Sequence, residues 1–237
     1  MATKSDKPKP ARKRARRGTG EKRIVEEAKN FFADHGFRGS TRELARQLGV
    51  TQALIYKYFP SKQALIDAVC QSVFIDTWDP AVSERLTAKT PSLDQRLTEF
   101  YQAFARRGSP VSARLFMRAN LDDQKLADRY TFALNDRILT PIVVALRREA
   151  GLPTIARKPM MRAERELVMS LHSAIVFLSI RKFIYNSPLP DNLDDHVALY
   201  VGNFLAGAPS TMARLHQEPQ SRYFGASLGG RGNRPKE

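Results

Sequence analysis

A single cysteine, Cys70, stands in the 237 residues, which excludes an intrachain disulfide and a cysteine zinc site and suits a reducing cytoplasm. Long hydrophobic runs are missing too. The longest charge-free apolar stretch, Leu167 to Ile180, has 14 residues and contains Ser170, His172, Ser173 and Ser179. A membrane helix takes about 20, so no membrane span is expected. The basic start, Met1 to Arg17, lacks the apolar segment of a secretory signal. Neither a convincing alternating strand pattern nor an internal repeat is present.

Signs of catalysis are equally scarce. His35, His172, His196 and His216 lie far apart, and none has the i, i+4 spacing of a helical metal pair. Gly18-Thr19-Gly20 and Gly229-Gly230-Arg231-Gly232 lack the strand–loop–helix setting of a phosphate loop. Asp122-Asp123 and Asp194-Asp195 fall at expected helix starts, where carboxylates complement the helix dipole. Cys70 sits on an apolar stripe, as a buried inert thiol does. No enzyme, metal or cofactor is expected.

Acidic residues are the last shortage, with 24 Asp and Glu against 39 Lys and Arg, a net charge of +15. Such a balance points to a polyanionic partner, nucleic acid or an anionic membrane surface. In the first twenty residues eight cationic side chains face Asp6 alone, and Pro8 and Pro10 oppose a helix. Residues 1–17 are therefore expected to form a disordered basic arm. The arm is either a solubilising tail or a strand that follows phosphates or enters a minor groove.

What is present is helical periodicity. Between Glu21 and His35 the residues Ile24, Val25, Ala28, Phe31 and Phe32 share a face, and Gly36 can end the helix. Ser40 and Glu43 make a capping box for a second helix with Leu44, Ala45 and Leu48 as its stripe, ended by Gly49. Thr51 can cap a third, through Tyr58, that buries Ala53, Leu54 and Ile55 and stops at Pro60. Two short helices around a glycine turn read as a helix-turn-helix. A basic chain, a basic arm and the polar third helix favour DNA over a purely structural pair.

Further helices are expected from Ser61, closed by Pro80; from Ser92 to about Arg107; Val111 to Asn120; Gln124 to Leu139; Met160 to Tyr185; and Leu193 to Leu205. Thr140-Pro141 is either an N-cap with a first-turn proline or a kink. The fold class is all-α.

The stretch STRELARQLGVTQALIYKYF at Ser40–Phe59, followed by Pro60-Ser61-Lys62-Gln63-Ala64-Leu65 and preceded by Gly36-Phe37, resembles the TetR family of bacterial transcription regulators. The resemblance covers about Gly18 to Trp78 and is only architectural beyond. It implies a helix-turn-helix DNA-binding domain at 18–78, a helical effector-binding and dimerisation domain at 79–216, and a disordered tail at 217–237. Such a protein would be a cytoplasmic repressor, bound as a homodimer to a palindromic operator in double-stranded DNA and released by a small, largely apolar effector.

On that basis Thr51, Gln52 and Ala53 are expected at base edges, Gln52 bonding an adenine and Ala53 touching a thymine methyl. Lys57, Tyr58, Ser61 and Lys62 suit phosphates, as do Ser40, Thr41 and Arg42 on the facing strand. Tyr56 is expected to pack rather than to contact DNA. The dimer candidates are Leu171, Ala174, Leu178, Val197, Tyr200, Val201, Phe204 and Leu205. Effector candidates are Phe100, Phe104, Phe116, Met117, Tyr130, Phe132, Met169, His172 and Phe177, although a plain core would have the same composition. Three rivals stay open at this level: control by a protein partner, an all-α ligand-binding protein or enzyme with a structural helix pair, and membrane-surface binding through the tail.

Overall fold

The computed structural model describes residues 11–122 and 124–218, which contain helices and no strand. The order is α1 Ala11–His35, α2 Thr41–Leu48, α3 Gln52–Tyr58, α4 Lys62–Phe74, α5 Val82–Thr87 and α6 Leu93–Arg106. Then follow α7 Pro110–Asp122, α8 Gln124–Leu134, a π-helical turn Asn135–Leu139, α9 Thr140–Glu149, α10 Arg162–Phe183 and α11 Leu193–Gln217. The all-α class holds. One boundary is corrected: α1 opens at Ala11, so residues 11–17 are helical where disorder was expected. Alanine and arginine are among the best helix formers, and extending a formed helix carries no nucleation cost. The rest of the basic arm and the glycine-rich tail lie outside the described residues.

The chain forms two compact units. The first takes residues up to Trp78 together with Pro110–Tyr130. Its core joins Ile24, Ala28, Phe31 and Phe32 of α1 to Leu44 and Leu48 of α2, Ile55 of α3 and Leu65 and Val69 of α4. Leu115 and Ala119 of α7 and Leu126 of α8 complete it. The boundary expected after Trp78 followed the proline signal at Pro80. The unit instead recruits a distant segment, a non-local event that local punctuation does not encode. Arg118 of α7 donates to the carbonyls of Ala33 (3.3 Å) and Asp34 (3.2 Å), closing the end of α1, and Arg114 pairs with Asp34 at 2.8 Å. Gly36 follows in the left-handed region (φ +73°), and a Cβ there would stand 2.6 Å from the Arg118 guanidinium.

The second unit comprises Asp79–Ser109 and the chain from Thr131 onward. It contains α5, which has no side-chain N-cap and was not expected from the sequence. Its C-terminus is held from elsewhere. Arg148 donates to the Thr87 and Ala88 carbonyls (both 2.7 Å), and Arg96 bonds Leu86 and, at 2.9 Å, Pro91. Guanidinium groups there satisfy orphan carbonyls and meet the negative helix end. Thr140 is itself helical (φ −60°, ψ −48°) and so is not the cap, while Pro141 stands in the first turn of α9, as one of the two expected readings had it. The π-helical turn before it accommodates the missing N–H.

The last helix runs past its expected end near Leu205, through Pro209, to Gln217. An internal proline costs about 3 kcal/mol, and burying Ala208, Met212 and Leu215 offsets it. Near this end lies a buried ionic cluster. Arg147 and Glu164, both essentially inaccessible, share two 2.6 Å hydrogen bonds. The other Arg147 donors reach the carbonyls of Pro153, Lys158 and Pro159. Burial opposes ionisation of Glu164, but bonds from Arg147, the Met161 N–H (2.7 Å) and His216 Nε2 (2.9 Å) hold its carboxyl below the usual range. Removing one charge of a buried pair strands the other, at about 3–5 kcal/mol. Glu164→Gln is therefore expected to lower unfolding stability by that amount in urea titrations, while Glu166→Gln on the exposed face leaves it within about 0.5 kcal/mol.

Candidate nucleic-acid interface

Three local devices set the helix-turn-helix. Ser40 accepts the Arg42 N–H (3.2 Å) and so caps α2; the reciprocal half of the expected capping box is not made. Gly49 ends α2 in the left-handed region (φ +67°), and its N–H and that of Val50 return to carbonyls of the last turn. Thr51 then caps α3 by accepting the Leu54 N–H at 3.2 Å. Ile55 and Phe59 point into the core and fix the roll of α3, so that Thr51, Ala53, Tyr56 and Lys57 are exposed and Gln52 is half-buried. Ser40, Arg42 and Ser61 are also exposed, and Lys62 is half-buried at the start of α4.

Thr41 departs from the expectation. It is 5% exposed, and its hydroxyl is shared by the Tyr56 hydroxyl at 3.1 Å and the Gln52 amide nitrogen at 2.8 Å. A buried hydroxyl with two partners orients its neighbours rather than reaching a phosphate. One Gln52 donor is thereby fixed, which leaves its second N–H and its oxygen for a base edge. The two tyrosines exchange their expected burial. Tyr56 is 40% exposed on the outer side of α3. Tyr58 is half-buried against the core, with its hydroxyl beside the Gly20 backbone, where a Cβ would come within 2.6 Å. Residue 56 lies one position from Ile55 and residue 58 three, so Tyr58 shares the inner face by helical spacing. That signal was available in the sequence.

The effector candidates do not form one set. In the first unit Phe116 and Tyr130 pack edge-on at 5.5 Å, with Phe74 and Trp78 about their rings, and Met117 is half-buried nearby in sequence. In the second, the His172 ring lies 5.3 Å from Phe104 and 6.0 Å from Tyr101, with Phe100 beside them. Met169 is half-buried on α10. Phe132 is 75% exposed: the inner face of α8 runs Leu126, Tyr130, Ala133 and Leu134, and position 132 falls opposite. Phe177 is also exposed, with Tyr185 against its ring at 5.9 Å.

The dimer candidates need a similar shift. Leu171, Leu178, Val197 and Val201 are buried in the protomer's own core, and Ala174, Tyr200, Phe204 and Leu205 are half-buried. The uncharged residues left bare along the middle of the two last helices include Ser170, Ser173 and Phe177 of α10 and Leu199, Gly202, Asn203 and Ala206 of α11. Exposed charges such as Arg162, Glu166, Lys182, Asp195 and Arg214 lie towards the helix ends. The i, i+3, i+4 stripe marks the face a helix buries first, which here is the protomer core.

Residues 24–69 match the family model of the bacterial regulatory proteins of the tetR family. No curated protein matches the chain. Among solved structures, a protein of Mesorhizobium loti MAFF303099 assigned to TetR-family transcriptional regulators is 15% identical, covering 81% of this chain and 97% of its own, with a TM-score of 0.56. AmtR of Mycobacterium smegmatis is 20% identical over 84% of this chain and 95% of its own (TM-score 0.55). The TetR-family regulator PfmR from Thermus thermophilus is 22% identical over 78% and 97% (TM-score 0.54). The TetR resemblance drawn from Ser40–Leu65 is thus matched by the family model over residues 24–69, and the described helices share the fold of solved TetR-family regulators.

Burial lowers the His172 pKa from 6.5 to about 4, so the ring is neutral at pH 7. Because the folded value is the lower one, the unfolded chain binds more protons between those limits. The stabilisation is complete above pH 6.5 and is lost as pH falls towards 4, at most about 3 kcal/mol. Urea titrations across that window are expected to show the slope in the native protein and to lose it in His172→Leu.

Proposed function

We propose that this protein is a sequence-specific DNA-binding transcription regulator that docks on a palindromic operator as a twofold dimer. The observation that carries it is the solvent face of α3, where Gln52, Ala53, Tyr56 and Lys57 stand free of the core, flanked by Ser40 and Arg42, in a chain of net charge +15. Short or polar groups at the start of a helix let the backbone approach base edges, and cations further along meet phosphates. Thr41, Ser61 and Tyr58 act from behind, as positioning, capping and packing groups.

One helix reads one groove. Two, related by a twofold axis, read successive major grooves about 34–36 Å apart. The bare, uncharged surface of Ser170, Ser173, Phe177, Leu199, Gly202 and Ala206 supports pairing through α10 and α11, because small residues let helices approach closely and Leu199 is 64% exposed. Repression is released when a small apolar or aromatic molecule favours a conformer whose recognition helices no longer match the groove spacing. The ring clusters around Tyr130 and around His172 are the places that suit such a molecule. No catalytic role is part of this proposal.

Selection from random duplex DNA at about 150 mM salt is expected to return a two-half-site palindrome. Gln52→Ala should cost about 1–3 kcal/mol at one base position, and Lys57→Ala should weaken all sequences alike and lower the salt slope by about one. Thr41→Val should lose specificity without losing a phosphate contact. Recovery of no motif sinks the regulator reading. Leu199→Glu should give a monomer in analytical ultracentrifugation; a native dimer would place the interface elsewhere.

A further inference from the structure

The first unit contains a cleft of about 310 Å³ lined by Phe37, Arg38, Lys62, Gln63, Ile66 and Asp122. Its walls come from three separate elements. Arg38 is in the α1–α2 turn, Lys62, Gln63 and Ile66 are in the first turns of α4, and Asp122 ends α7. Phe37 and Ile66, its two apolar lining residues, are buried.

The charges of the cleft are unspent. Other arginines of this unit are engaged, Arg114 with Asp34, Arg118 with two carbonyls and Arg129 with Asp67, while Arg42 on α2 is free like Arg38. Arg38 and Lys62 have no hydrogen-bond or ion-pair partner among the described residues, and Gln63 is turned along its own helix to Asp67 at 3.0 Å. Asp122 pairs with neither cation. Two cations without a partner and a single carboxylate line one polar cleft and make a site of net positive charge for an anion with fork-type oxygens.

We propose that Arg38 and Lys62 form an oxyanion clamp, with Arg38 supplying a contact that the helix-turn-helix pattern does not predict. The clamp takes tetrahedral or planar oxygen anions, and two sources share that chemistry: a phosphate of the DNA backbone and a free small phosphate. In its DNA form the clamp rests on the regulator reading; the free-anion form stands without it. Asp122 opposes either occupant and sets the affinity low enough for exchange.

The test compares the full chain with Arg38→Ala, Asp122→Asn and, as an equal charge change away from the cleft, Lys29→Ala, whose ammonium is bonded to Glu26. Anisotropy titrations of the recovered operator over a range of salt are one arm. The other is inorganic phosphate against chloride at matched ionic strength, followed by the amide resonances of Phe37 and Lys62. If the occupant is DNA, Arg38→Ala weakens binding several-fold and lowers the salt slope by about one, Lys29→Ala does neither, and Asp122→Asn tightens binding. If it is free phosphate, the Phe37 and Lys62 resonances move in the native protein, stay in Arg38→Ala and move at lower phosphate in Asp122→Asn. An Arg38→Ala protein that matches Lys29→Ala in both arms overturns the clamp. A native protein with no operator but a phosphate response defeats the regulator reading alone.

Discussion

The roll of α3 about its own axis is the constraint on which the candidate interface depends. Ile55 and Phe59, buried against Phe32, Leu44 and Leu65, fix that roll, and everything displayed outward follows from it. A second, polar restraint then refines it. The Thr41 hydroxyl joins α2 to α3 through Tyr56 and Gln52, so the side chain with the best hydrogen-bonding pattern for a base is ordered before any DNA arrives. Ordering the side chain in the free protein reduces the entropy that binding must supply.

Arginine has an unusual share in the rest of the architecture. Arg118 closes α1, Arg96 and Arg148 close α5, and Arg147 is buried with Glu164 at the junction of α9, α10 and α11. Part of the excess positive charge is therefore internal scaffolding. The composition alone points all of it to a polyanion, whereas exposed cations such as Lys57, Arg42 and Arg38 are the kind that are free to meet one.

The helices with local punctuation were the readable ones. Ser40, Gly49, Thr51, Ser61 and Ser92 mark helix boundaries found within a residue or two of expectation, because caps and turns are short-range chemistry. By contrast, α4 ends at Phe74, well before the Pro80 that was expected to close it. The misses arise where distant contacts decide. α5 exists through guanidinium groups 10 to 61 residues away in sequence. α11 crosses Pro209 because Met212 and Leu215 have a core to enter. The outer face of α3 was legible in outline, with Ala53 and Lys57 exposed and Gln52 half-buried. The exchange between Tyr56 and Tyr58 and the burial of Thr41 depend on how α2 meets α3. For the dimer and effector sets, an apolar stripe identifies a buried face without saying what buries it, so Leu171 and Val201 belong to the protomer.

The core of the first unit also bears on modularity. Leu115, Ala119 and Leu126 come from beyond the Asp79–Ser109 excursion, and Arg118 grips the end of α1 against Gly36. A fragment cut after Trp78 would expose the apolar side of α1 and α4 and leave the α1 carbonyls open. The head is thus not a detachable cassette. Chimeras that graft it onto another bundle must carry α7 with it, and change in α7 is constrained by the need to keep α1 and the core beneath α3 in place.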